Sequence, residues 1–407
     1  MRFRTDALPK AKLRLMLEYL SATLRSIGLA EGGYYQPHAD GTYHVRLAVA
    51  HKQDNRELVL FWSFVRMPDG SIPHIEVIPR DENVPESEYA SVAHEVYNSI
   101  LTATLAEITQ QFFQRVPLYY IGTQLSGEYW LPGFRIAPVP VDDEHPGSGN
   151  LERCVYIDQN VSAIDERLAR ALAFERAMRY AARLSLILDV GLYDAPKEYV
   201  WIWNPLGTPA SIRGSRGYFV RGMRPTTSMP EKGVEAPLGE FAWSVLDTDI
   251  NSGRNQAGFL CCRKETRVIL RGVENAPTGI QEAFDSCSRL YQLSMVVGER
   301  FPTVRVAYQV AAVDALSQAG GFGGFTNFME QHVSNASALR TFLDTLYSKV
   351  RSSHFHGGAF PLGDFLSGLT DAIDPGPWER VNIRLSGHAL IREAIFRWAT
   401  QTLPAST

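Results

Sequence analysis

Apolar positions along the chain recur in two periods, and the change from one to the other marks out its regions. LPKAKLRLMLEYLSATLRSIG, from Leu8, repeats leucine and methionine every three and four residues. It predicts an amphipathic helix that stops at Gly28. YHVRLAVA from Tyr43 and ELVLFWSFVR from Glu57 read as strands. MPDG (Met67 to Gly70) is a turn in which Pro68 presets one backbone angle, and SIPHIEVI continues the sheet. Pro85 and Glu86 then open a long helical pattern with Tyr89, Val92, Val96, Ile100, Leu105, Ile108 and Phe112 on one side.

Residues 117–150 are richer in turn residues, and DDEHPGSGN from Asp142 reads as a linker. A helix is expected from Ser162 to Asp189, with Ser162 and Asp165 placed as its cap and first-turn acid. YVWIW, RGYFVRG, EFAWSVL and ETRVILRG then read as short strands. From Gly279 the period is helical again. IQEAFDSCSRLYQLSMVV, FPTVRVAYQVAAVDAL with Pro302 in its first turn, SALRTFLDTLYSKVRSS and a last segment carrying Leu390, Ile391, Ile395 and Trp398 suffice for a bundle. The expected fold is α+β and multidomain: mixed α/β regions over 1–145 and 146–275, followed by an all-α helical bundle over 276–407.

Composition narrows the class. At 407 residues with 45 % apolar content, the chain can fill ordinary cores. Forty basic against forty-four acidic residues, a formal charge of -4, argue against an unspecific polyanion sponge but leave room for local basic clusters. Cys154, Cys261, Cys262 and Cys287 have neither zinc spacing nor the pattern of a disulfide framework, so a reducing compartment is expected. No window reaches the roughly 18 apolar residues of a membrane span, and a soluble cytoplasmic protein without cofactor or metal is expected.

The chemistry concentrates in YSKVRSSHFHGG, Tyr347 to Gly358. Arg351 and His356 stand about 7.5 Å apart in helical rise and roughly 140° apart in rotation, so they flank a groove instead of stacking. Ser352 lies one turn before His356, and Gly357 suits a left-handed helix end. An arginine fork neutralises phosphate oxygens and a histidine moves protons, the two requirements of RNA cleavage without metal. His354, three residues from Arg351, is the rival histidine, and the spacing alone does not choose between the two. Asp314, beside the Val306, Val310 and Val313 stripe, needs a cationic partner, for which Arg351 is the candidate. Two basic clusters could track RNA: Arg213, Arg216, Arg221 and Arg224 among glycines and aromatics, then Arg263, Lys264 and Arg267. GGFGG from Gly320 lacks the G-K-[ST] of a phosphate loop and reads as a crossover.

The C-terminal third resembles a HEPN domain of the ApeA-like branch. The residues that carry the resemblance are R-S-S-H-F-H, Arg351 to His356, the following Gly357, and A-V-D-A-L with Asp314 on the preceding helix. Asp314 stands where the family more often has glutamate, and Ser352 where it often has asparagine. The resemblance implies a HEPN-like bundle that forms a homodimer and acts as a metal-independent endoribonuclease on RNA, in a prokaryotic defence or toxin setting. It implies Arg351 and His356 as catalytic residues and favours His356 over His354. The competing expectation is a non-catalytic RNA- or protein-binding module that keeps the bundle for dimerisation.

Overall fold

The fold is described from a computed structural model, which describes residues 1–5, 8–28, 34–53, 56–107, 109–138, 152–194, 199–202, 212–215, 228–233, 260–298, 300–334, 336–365 and 375–403. The chain forms two compact units, Met1–Phe112 with Val161–Leu172, and Phe113–Asn160 with Ala173–Thr407. It is α+β in its N-terminal region, with two main sheets, and all-α at its C-terminal end.

The first unit holds β1 (Arg2–Arg4), α1 (Lys10–Gly28), β2 (Tyr34–Pro37), β3 (Tyr43–Gln53), β4 (Arg56–Arg66), β5 (His74–Pro79) and α2 (Glu86–Ala106). Its sheet runs β1-β5-β4-β3-β2, antiparallel throughout. The turn expected at Met67–Gly70 forms, with the Gly70 amide donating to the Met67 carbonyl at 2.9 Å. Alternate strand residues Val49, Leu60, Trp62, Ile75 and Val77 are buried against Met16, Leu20 and Leu24 of α1 and Ala93 and Ile100 of α2. Period two on the strands and period 3.6 on the helices thus meet in one core.

Three expectations are corrected. The helical pattern assigned through Phe112 ends at Ala106, where Glu107 takes a left-handed φ of 50°. Gln110–Ile121 is a strand, β6. Ser162 is not a helix cap but lies in β9 (Glu152–Ala163). Asp165 performs that role, its Oδ1 accepting the Leu168 amide at 2.6 Å ahead of α3 (Glu166–Leu188). ETRVILRG is not a strand but part of a helix, α4 (Lys264–Asn275), which buries Thr266, Ile269, Leu270 and Val273 at helical spacing.

In the second unit β6, β9, β8 (Phe134–Pro138) and β7 (Tyr129–Leu131) form a four-stranded sheet in that order. Asp158 of β9 ties it together, accepting from Arg115 of β6 at 2.6 and 2.8 Å and from Arg135 of β8 at 2.6 Å. β10 (Tyr199–Ile202) and β11 (Ile212–Ser215) pair antiparallel. The linker expected at Asp142 and the strands expected in RGYFVRG and EFAWSVL lie outside the described residues.

The bundle adds α5 (Thr278–Val297), α6 (Pro302–Ala319), α7 (Phe325–His332), a short 3-10 turn (Ala336–Leu339), α8 (Arg340–Asp344), a π-helical run (Thr345–Ser352), α9 (Ser353–Gly357) and α10 (Pro375–Thr402). α6 is central: α5, α7, α10 and the π-helical run all pack on it. Its Val306, Val310, Val313 and Leu316 are fully buried. All four cysteines are buried and free of disulfides. Among the described residues no helix is long and apolar enough to cross a membrane.

Candidate functional site

The Tyr347–Gly358 segment is not a plain α-helix. Thr345 back-bonds to the Thr341 carbonyl at 3.0 Å, and the Ser353 hydroxyl reaches the Ser348 carbonyl, five residues back, at 3.2 Å. Hydroxyls that compete for carbonyls distort the ordinary ladder, and here the chain widens into π-helix up to Ser352. Such wide turns recur at functional sites. Leu346 and Val350 keep the run anchored in the core.

Arg351, the last residue but one of the wide run, meets Asp314 of α6: its Nη2 is 3.2 Å from Oδ2. The arginine side chain keeps 24 % of its exposure and the carboxylate 11 %. Burial raises the Asp314 carboxyl above the ordinary carboxylate range, opposed by Arg351 and by the Phe325 amide. The pair therefore gives a buried carboxylate the partner it needs, and the same carboxylate accepts from the amide of the first residue of α7. That start follows Gly324, whose φ of 120° is closed to L side chains. The guanidinium lies over Tyr347 at 5.1 Å and Phe355 at 5.8 Å, one residue four before it and one four after. Its Nε is buried and has no hydrogen-bond partner among the described residues.

The two histidines differ. His354 Nδ1 donates to the Ala359 carbonyl at 3.2 Å, and the ring packs edge-on against Phe360. His356 is exposed, and among the described residues its imidazole has no hydrogen-bonding or ring partner. Ser352 is half-buried on the same segment. Thus Arg351 and Asp314 are joined, His354 is engaged in holding the helix end, and His356 is left facing solvent.

The left-handed residue is Gly358, with φ 63°, and not Gly357, which is the last residue of α9. No heavy atom lies within 4 Å of a Cβ built on Gly358. Gly358→Ala is therefore expected to cost about 1–2 kcal/mol for backbone conformation alone, checked by urea denaturation. A cost near zero would show that the turn re-forms without glycine.

The basic clusters fare unevenly. Arg263 is fully buried ahead of α4, where its amide donates to Thr266 Oγ1 at 3.0 Å, and burial pushes its guanidinium down to about 9. A side chain with no accessible surface cannot meet RNA, so the expectation that Arg263 binds it is corrected. Lys264 is exposed, while Arg267 is half-buried and donates to the Trp130 carbonyl at 2.8 Å. Arg213 lies on β11 opposite Trp201, and Arg216, Arg221 and Arg224 lie outside the described residues.

The aromatic bracket of Tyr347 and Phe355 escaped the sequence reading, although its spacing of four on either side of Arg351 is legible in the helix period. Among the described residues no group of three or more His, Cys, Asp or Glu side chains is placed to hold a metal ion. No protein-family model, curated protein or solved structure matches the chain.

Proposed function

We propose that the chain is an endoribonuclease of HEPN type, whose C-terminal bundle dimerises and cuts RNA with Arg351, His356, Ser352 and Asp314. One observation carries this reading: a guanidinium steered by Asp314 across 3.2 Å shares a short helical end with an unengaged, exposed imidazole. In the reaction a ribose 2′-hydroxyl gives its proton to an imidazole, and its oxygen bonds to phosphorus. The bond from phosphorus to the 5′-oxygen breaks, and that oxygen takes a proton as it leaves. Arg351 neutralises the charge that builds on the phosphorane oxygens. Guanidinium and imidazole between them supply both charge and proton transfer, so the scheme does not call on a metal ion.

Two proton transfers on opposite sides of the phosphorus are best served by two imidazoles. A two-fold pair of bundles supplies them as His356 and its copy, which is the reason for a dimeric site. Ser352 and Asp314 position the working groups. A prokaryotic defence or toxin role, with the N-terminal region as restraint or sensor, accords with this activity.

Labelled RNA incubated with the purified chain in EDTA is expected to yield fragments ending in a 2′,3′-cyclic phosphate and starting with a 5′-hydroxyl. Fragments with a 5′-phosphate, or activity abolished by EDTA, would exclude the scheme. A second reading is favoured by the Phe325 amide on Asp314. On that reading the Arg351 pair fastens α6 to the segments around it, and the bundle binds RNA or protein without cutting. RNA bound in a stable, uncut complex with a dimer is its signature.

A further inference from the structure

We propose that a row of aromatic rings beside Arg351 is a base-stacking site that holds the unpaired strand next to the cleavage residues. The inference rests on the nuclease reading above and assigns the side chains that bind its substrate. Phe355 packs edge-on against Tyr308 at 5.4 Å and lies 5.3 Å from His354, which meets Phe360 at 5.0 Å. Phe360 meets Phe365 at 4.8 Å, and Phe365 lies 5.9 Å from Phe301. The rings thus follow one another at near-contact spacing from the helix end that carries His356 to the start of α6. Phe355 is 43 % exposed and Phe365 72 %. Two phenylalanines left in water on one short stretch are costly, and such exposure marks a binding surface.

The platform is held in place. Asp364 accepts the Thr303 amide at 2.9 Å and also the Thr303 hydroxyl, and the Leu362 amide donates to Thr303 Oγ1 at 2.9 Å. The loop that presents Phe360 and Phe365 is therefore pinned to the first turn of α6, and binding need not order it.

The neighbours of the rings choose the occupant. Arg351 sits 5.8 Å from Phe355, His354 stands in the row between Phe355 and Phe360, and the exposed His356 follows Phe355 in the chain. A purely apolar partner would leave these groups to be desolvated without reward. A nucleic-acid strand satisfies both sets, with bases on the rings and phosphates on the guanidinium and the imidazole N–H groups. Inside a duplex the base faces are already stacked on one another, so only unpaired stretches can use the rings.

The test is fluorescence anisotropy on the full chain carrying His356→Ala, so that bound RNA is not consumed. The probes are an unstructured oligonucleotide of roughly 12 nucleotides and a duplex of the same sequence. The single strand is expected to bind at least about tenfold more tightly. Phe365→Leu and Phe355→Leu are each expected to weaken single-strand binding by roughly 5- to 100-fold, with duplex binding unchanged and Phe355→Tyr retaining the affinity. Phe365 is open enough to be replaced without disturbing the core, so its variant remains decisive if Phe355→Leu lowers the melting temperature. Equal binding of strand and duplex, or leucine variants that bind like the parent, overturns the platform while leaving the nuclease reading intact. Failure of both probes to bind removes the nuclease reading as well. If Phe355→Leu or Phe365→Leu turns a dimer into a monomer in analytical ultracentrifugation, the row is an interface between copies and the proposal is wrong.

Discussion

Asp189→Ala is expected to destabilise the second unit by about 3–5 kcal/mol, the range found when one partner of a buried ion pair is removed. Asp189 follows α3 and receives three side chains: Tyr291 Oη at 2.6 Å, His388 Nε2 at 3.0 Å and Arg392 Nη1 at 3.2 Å. Arg392 also donates to the Leu186 carbonyl at 2.7 Å, and Gln309 Nε2 lies 2.8 Å from His388 Nδ1. One carboxylate thus joins α3 to α5 and α10, and through His388 to α6. Burial pushes the Asp189 carboxyl up, but Arg392 and His388 more than offset it and hold it far below the ordinary range. Without it, the nearly buried Arg392 charge loses the carboxylate that contributes most to offsetting its burial.

Backbone conformation adds a control. Asp189 has a φ of 60°, which asparagine tolerates and alanine does not. Asp189→Asn removes the charge alone and should fall between wild type and alanine in urea midpoint. A loss under 1 kcal/mol for alanine would show that water or rearrangement replaces the carboxylate. Acid should act in the same direction. The His388 proton affinity is lowered, by burial first, so the unfolded chain binds a proton that the native one refuses as pH falls through about 6.5. Asp189, depressed in the native state, contributes stability above about pH 3.9 that is lost below it. Stability should therefore decline in two stages on acidification, and His388→Gln should flatten only the first.

None of this network is visible in the sequence, because its members are polar residues scattered over elements as distant as Asp189 and His388, 199 positions apart. What was legible is what periodicity encodes. The stripes of α1, α5, α6 and α10, and the hairpin around Met67–Gly70, follow from the spacing of apolar residues. The failures lie where a stop carries no usual signal. α2 ends on Glu107 in a left-handed conformation that normally announces itself as glycine, so the helical reading ran on into a strand. In α4 the run Val268-Ile269-Leu270 lies in the segment read as a strand, ETRVILRG. Thr266, Ile269, Leu270 and Val273, spaced three, four and seven, carried the correct period.

At the candidate site the sequence was more informative, since a carboxylate in an apolar stripe demands a cation. That demand, together with the resemblance to the family motif, made Arg351, 37 residues on in the chain, the candidate partner of Asp314. Spacing could not foresee the π-helical run, which depends on which carbonyls the Thr345 and Ser353 hydroxyls capture. Nor could it see that Arg263 enters the core while Lys264, its neighbour, does not.

Arg351→Ala and His356→Ala should each suppress RNA cleavage, and for different physical reasons. Loss of a preorganised group that stabilises transition-state charge costs about 10²- to 10³-fold in turnover, and loss of a proton-transfer group about 10²- to 10⁴-fold. His356 is exposed and has no side-chain partner among the described residues, so its variant should melt like wild type, and added imidazole should restore part of its activity. Arg351→Ala strips Asp314 of its cation. The carboxyl, already pushed up by burial, should then take a proton more readily and the bundle should lose stability. Arg351→Lys separates charge from shape: a lysine can neutralise Asp314 but cannot reproduce a planar fork that grips carboxylate and phosphate together. Its stability should recover further than its activity. The double variant should be little worse than the poorer single one, because two groups acting on one transition state do not contribute additively. Equal cleavage by wild type and both alanine variants, with dimers intact, would place the activity elsewhere. Cleavage retained by His356→Ala and lost in His354→Ala would transfer the proton to the neighbouring imidazole, at the expense of its bond to Ala359.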